Sequence, residues 1–116
     1  MNLRDLAARY PLLTPEQEIL FSRRVQAWVA IRHLPPITST DRRIHRLGRQ
    51  ARDRLVLHNL RFAYVQAKKC LRLCRFLTED DLLQAASIGL ITAAERFDAS
   101  RGCRFVTYAF FWIRTK

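Results

Sequence analysis

Residues 78–97 read TEDDLLQAASIGLITAAERF, and the spacing within them decides the fold class. Thr78-Glu79-Asp80-Asp81 is a helix start, with a hydroxyl to cap the first turn and carboxylates where the helix dipole favours them. Leu83, Ala86, Leu90, Ala94 and Phe97 then recur at intervals of three and four, the period of one apolar helix face. Asp98-Ala99-Ser100-Arg101-Gly102 breaks that period. The spacing predicts a last helix from Val106 or Thr107 onward.

Working outward, Thr14-Pro15-Glu16-Gln17 is a second start: Thr14 to cap, Pro15 for the first turn, Gln17 to reach back. Phe21, Val25, Trp28 and Arg32 carry that helix to about Leu34. Pro35-Pro36 ends it, and residues 37–40 read as a loop. Asp41 is the expected cap of a further helix with Ile44, Leu47, Ala51 and Leu55 on one face. That helix either runs on through Leu60, Ala63, Ala67 and Leu71 or bends near Gly48 or Asn59. No stretch alternates like a strand, and three glycines leave little for hairpins. The expectation is an all-α fold, a compact bundle of four to five helices in one domain over residues 1–116.

Charge narrows the partner. The chain carries +11 at pH 7 with a pI near 11.0, which favours a polyanion, above all nucleic acid. The excess is uneven: residues 1–77 hold 16 Lys and Arg against 5 Asp and Glu, while residues 78–116 hold 5 against 5. Half of the twelve aromatics fall between Phe97 and Trp112. A basic body thus precedes an aromatic end. Three cysteines without CxxC spacing argue against a disulfide framework and for a reducing, cytoplasmic setting. The longest uncharged run, Leu82 to Ala94, is too short for a bilayer, so no membrane partner is expected.

Catalytic chemistry finds little support. His33, His45 and His58 stand apart from any nucleophile or carboxylate pair, and no glycine-rich phosphate loop is present. Cys70 and Cys74 lie one helical turn apart, but Cys103 is distant and no histidine completes a zinc set, so small packed side chains are the simpler account and no metal or other cofactor is expected. Arg42, Arg43, Arg46, Arg49, Arg52 and Arg54 read as spread around their helix, a solvated face by default. Lys68, Lys69, Arg72 and Arg75 cluster more tightly.

The closing residues resist the bland reading. Phe105, Tyr108, Phe111 and Trp112 share one helical face and so could be core, yet Phe110 points elsewhere, and so small a domain cannot bury every ring. Rings left open beside Arg101, Arg104 and Arg114 supply stacking platforms and cations, the two things single-stranded nucleic acid requires. Such a helix can also wedge a duplex or receive a flipped base.

Three stretches, NLRFAYVQAKK, DLLQAASIGLITAAERFD and RGCRFVTYAFFWIR, together resemble region 2 of a bacterial RNA polymerase sigma factor of the primary, housekeeping-like family. LLTPEQEILFSRRVQ is similar to the short segment that precedes region 2 there. The resemblance covers nearly the whole chain: residues 14–34 as the preceding segment, 35–40 as a loop, 52–116 as region 2. It implies a docking surface for the clamp coiled coil of the polymerase largest subunit at Asp81, Leu82, Leu83 and Gln84, with Ala85 where the family has glutamate. It implies a pocket for the flipped adenine of the minus-ten element at Phe97, Asp98, Arg101, Thr107 and Tyr108. Phe111 and Trp112 correspond to the wedge pair at the upstream edge of the melted bubble. Asn59 and Phe62 fall where a downstream base is read, Cys103 replaces a tyrosine along the strand, and Thr115 replaces a glutamine beside the upstream base pair. Family members continue into helices for the extended promoter and the minus-thirty-five element, whereas this sequence stops at Lys116. The expectation is therefore either an isolated domain or a short factor unable to read the upstream element.

The implied function is a non-enzymatic module that binds RNA polymerase core and melts the minus-ten element by capturing unstacked non-template-strand bases. An anti-sigma factor is a possible further partner. Two alternatives stand beside it: a clamp-binding competitor of complete sigma factors that does not melt DNA, and a generic basic nucleic-acid-binding protein.

Overall fold

A computed structural model describes residues 5, 8–71 and 78–114, with the side chains of 70, 71, 111, 113 and 114 left aside. From Pro15 onward, the described residues form in order α1 (Pro15–Ile31), α2 (Ser39–Leu57), α3 (Leu60–Leu71), α4 (Glu79–Arg96), a 3-10 turn (Ala99–Arg101) and α5 (Phe105–Arg114). The described residues hold no strand, as the absence of alternation implied.

Three helices begin with the same device. Thr14, Thr38 and Thr78 each accept a hydrogen bond from the backbone N–H three residues on, and the side chains of Gln17, Asp41 and Asp81 return one to the cap's own N–H. Each box satisfies two donors that a helix start leaves free. The sequence reading of Asp41 as the cap is corrected here. Thr38 caps and Asp41 is the return partner, so α2 starts at Ser39, inside the expected loop. Backbone N–H groups of Thr38 and Ile37 hold the Asp41 carboxyl below its ordinary value. α1 ends at Ile31, three residues before the expected end. Leu34 N–H closes a turn on the Ile31 carbonyl just ahead of the two prolines.

α2 does not run through into α3. His58 and Asn59 interrupt it, and the Asn59 amide donates to the Leu55 carbonyl at 2.8 Å, tying off the last turn of α2. Gly48 causes no bend. It sits against Trp28, where an added Cβ would overlap the Cβ and Cγ of that ring, so glycine lets α1 and α2 approach closely.

α4 is central and touches all four other helices. This explains its uncharged middle. Ala86, Leu90, Ala93 and Ala94 are fully buried, and the small residues let neighbouring backbones close in on Val25 of α1, Leu55 of α2 and Ala63 of α3.

Candidate nucleic-acid interface

The corner between α4 and α5 is built by backbone geometry. Phe97 leaves α4 in an extended conformation, Asp98 caps the 3-10 turn, and Gly102 supplies the positive φ of 82° that ends it. The Asp98 carboxylate accepts from both the N–H and the hydroxyl of Ser100, at 3.0 and 2.6 Å. Those bonds, the hydroxyl's foremost, with the Arg101 cation at 3.8 Å, hold its carboxyl below the ordinary value.

α1 pins the corner from below. Glu18, only 4% exposed, accepts from Arg104 Nε at 3.0 Å, from an Arg104 terminal nitrogen at 3.2 Å and from Phe105 N–H at 3.1 Å. The Ser22 hydroxyl and the Gln26 amide both donate to the Phe97 carbonyl. A buried carboxylate is tolerable only when satisfied in this way. Bonding to Glu18 also pushes the Arg104 guanidinium above its ordinary value. Nothing in the local sequence of α1 marks Glu18, whose partners lie 86 and 87 residues away.

The rings divide between core and surface. Phe97 and Phe105 are buried edge to face at 5.3 Å, so the pair forms a floor. Tyr108 lies half-buried on that floor, 5.7 Å from Phe97, and Trp112 meets Tyr108 edge-on at 6.5 Å. The Arg96 guanidinium stands 4.8 Å above the Trp112 ring. Arg96, Asp98, Arg101, Cys103 and Tyr108 line an open cleft of ≈ 210 Å³. Arg101 is exposed there, and Thr107 is exposed on α5.

A second surface runs along α4. Asp81 and Gln84 are exposed, Leu82 and Leu83 half-buried, and Ile88 and Ile91 continue the outer ridge, Ile88 at 55% exposure. Ile88 and Ile91 lie four and seven places after Gln84, on the helix side opposite its buried face.

Comparison with known proteins gives one consistent answer. Residues 55–116 match the family model of sigma-70 region 2, and residues 7–30 match that of sigma-70 factor region 1.2. The chain belongs to the sigma-70 family. It is 38% identical over 108 residues to RNA polymerase sigma factor SigA4 of Synechococcus elongatus, covering 91% of this chain and 34% of that protein. It is 37% identical over 117 residues to RNA polymerase principal sigma factor HrdC of Streptomyces coelicolor, covering 90% and 34%. Against SigA of a Nostoc species the identity is 46% over 79 residues, 68% of this chain and 20% of that one. The chain thus spans about a third or less of these curated relatives.

Several of the residues expected at a DNA surface are buried or already bonded within the fold. Phe97 is 1% exposed, so it supports Tyr108 from below and has no face open to a base. Asn59 is 2% exposed and spends its amide on Leu55, so it shapes the α2–α3 break, while its carbonyl oxygen is buried and finds no partner among the described residues. Arg104, expected as a phosphate cation, is committed to Glu18 and to the Leu13 carbonyl at 2.8 Å. Phe62 is exposed and lines a separate cleft of ≈ 400 Å³ with Tyr10, Leu12, His58 and Arg61. The Phe111 side chain, Thr115, Cys74, Arg72 and Arg75 lie outside the described residues. Among the described residues no group of three or more His, Cys, Asp or Glu could hold a metal, and no helix is long and apolar enough to cross a membrane.

Proposed function

We propose that this chain is a sigma-factor module that docks on RNA polymerase core and captures unstacked bases of the minus-ten non-template strand. The observation that carries the reading is the half-open Tyr108 ring. It rests on buried Phe97, itself packed on buried Phe105, and faces a cleft bordered by exposed Arg101. A ring held by its back and free at its front is a preorganised stacking platform, and the guanidinium beside it suits a phosphate. Trp112, held by Arg96 and Tyr108, and its sequence neighbour Phe111 serve as the wedge at the upstream edge.

No covalent step is involved. Rings and cations bind an extruded base better than a paired one, so the open strand is favoured by the difference in affinity between the two states. Docking on the largest-subunit clamp coiled coil uses the outer ridge of α4, where exposed Asp81, Gln84, Ile88 and Ile91 offer polar and apolar contacts together. The membership of the sigma-70 family supports both partners.

Two measurements test it. With polymerase core present, a minus-ten non-template oligonucleotide should bind more tightly than its complement or the duplex, with a log–log salt slope of about 0.7 per phosphate contact. Equal affinity for all three would contradict the reading. Asp81→Asn with Gln84→Ala should weaken capture of polymerase core, since losing interface anchors costs ~2 kcal/mol or more. Asparagine is chosen because Asp81 also closes the capping box of α4. Undiminished capture would place docking elsewhere.

A further inference from the structure

The arginines of α2 are of two kinds. Arg52 turns inward: it binds Asp53 at 3.0 Å, reaches Glu95 at 3.9 Å and lies 5.2 Å over the Trp28 ring. The other five, Arg42, Arg43, Arg46, Arg49 and Arg54, are all exposed. At 100° per residue they fall within an arc of roughly 140°, opposite buried Gly48, Ala51 and Leu55, and they span about 18 Å of helix. They line one face after all.

Not one of the five pairs with a carboxylate among the described residues. Arg42 donates to the Ile37 carbonyl and Arg54 meets His58 Nε2, both contacts that leave the charge uncompensated. The only acid on the arc, Asp53, is already taken by Arg52. Gln50 completes the surface between Arg42 and Arg54, so that stretch presents no ring and no exposed apolar side chain.

We infer that this face of α2 binds the phosphate backbone of double-stranded nucleic acid, as a contact separate from the single-strand cleft at the α4–α5 corner. Three arguments select that partner. Without rings the face cannot stack bases, so it gains nothing from an open strand. The five guanidiniums along about 18 Å stand roughly 4.5 Å apart, near the 3.4 Å spacing of phosphates along one duplex strand, a row that a duplex holds fixed and a flexible single strand does not. A protein partner would want buried apolar or aromatic anchors, which this stretch lacks. Arginine in preference to lysine fits phosphate, whose oxygens it can grip in pairs. The two surfaces are also distinct in the fold: α2 packs on α1 and α4, whereas α5 packs on α4 and α3.

The inference does not rest on promoter recognition, and its test leaves out both polymerase and the minus-ten sequence. Bind the chain to a 30-base-pair duplex of arbitrary sequence over a series of salt concentrations, and compare R43Q/R46Q/R49Q with R23Q/K68Q/K69Q. Both triples remove three exposed charges, and circular dichroism should show both folded. The α2 triple is expected to lose about tenfold or more in affinity at 0.1 M salt, with its log–log slope smaller by about 2 to 3. The other triple should lose much less. Equal losses would mean that net charge alone drives binding, and no loss would mean a solvated face. A loss of polyglutamate binding with duplex binding unchanged would identify an acidic protein as the partner. Each of these three results overturns the inference.

Discussion

The molecule holds two tryptophans under arginine, and it treats them differently. In the α1–α2 hairpin, Trp28 is 6% exposed, with Arg32 at 5.4 Å and Arg52 at 5.2 Å from its centroid. Both cations reach the Glu95 carboxylate, so the ring and its charges are closed off together. At the α4–α5 corner, Trp112 is half-buried, Arg96 is exposed above it, and Tyr108 beside it borders a cleft. The ingredients match, but Glu95 compensates both cations of the first cluster, whereas the second borders an open cleft. Aromatic and cationic composition therefore does not separate structure from function. Compensation does.

The joint between the two regions should give the largest effect. Arg104→Ala strands a buried Glu18 carboxylate with the Phe105 N–H, which should cost about 2–4 kcal/mol of stability after allowing for the half-exposed arginine. Adding Glu18→Gln should recover part of that loss in denaturant titrations. If Arg104→Ala leaves stability intact and weakens only DNA binding, Arg104 is a phosphate cation and the joint is misassigned.

Within the closed region, Gly48→Ala forces a methyl into Trp28 and should cost ~1–3 kcal/mol, as overpacking does. Bubble-DNA affinity per folded molecule should not change. A matching loss of affinity would show that the hairpin and the corner are not separable.

The smallest effect concerns the open region and pH. The folded Asp98 carboxyl titrates below its ordinary 3.8, so the stability of the turn is fully present above that value and fades as pH falls through the lower, folded one. The Ser100 amide resonance should report this midpoint. A midpoint at or above 3.8 would mean that the turn does not hold the carboxylate.

How much of this the sequence foretold depended on the range of the interaction. Thr14-Pro15-Glu16-Gln17 announced its capping box because every partner lies within three residues. Thr38-Ser39-Thr40-Asp41 has the same form as Thr78 to Asp81, but it follows Pro35-Pro36 so closely that the loop signal of the prolines overlaps the cap. Helix periods located Leu55, Leu90 and Phe97 in the core correctly. They could not reveal that Glu18 faces inward, because its partners are Arg104 and Phe105, where the chain enters α5. With Arg52 included, the six α2 arginines read as spread around the helix; once Arg52 turns inward, the other five share one arc opposite the buried face. For the rings at the end, spacing put Phe105 and Tyr108 on one side, while the depth of each was set by the α4–α5 corner.

The central claim is that Tyr108 is a surface ring standing on a core ring. It is tested most directly by thermal melting and bubble-DNA binding on Phe105→Ala and Tyr108→Ala in parallel. Phe105 is fully buried, so its truncation should cost roughly 3–5 kcal/mol of stability. Tyr108→Ala should melt close to the parent chain and lose ~1–3 kcal/mol of binding per folded molecule. If Tyr108→Ala melts as low as Phe105→Ala while folded molecules bind bubble DNA unchanged, the ring is core and the account is contradicted.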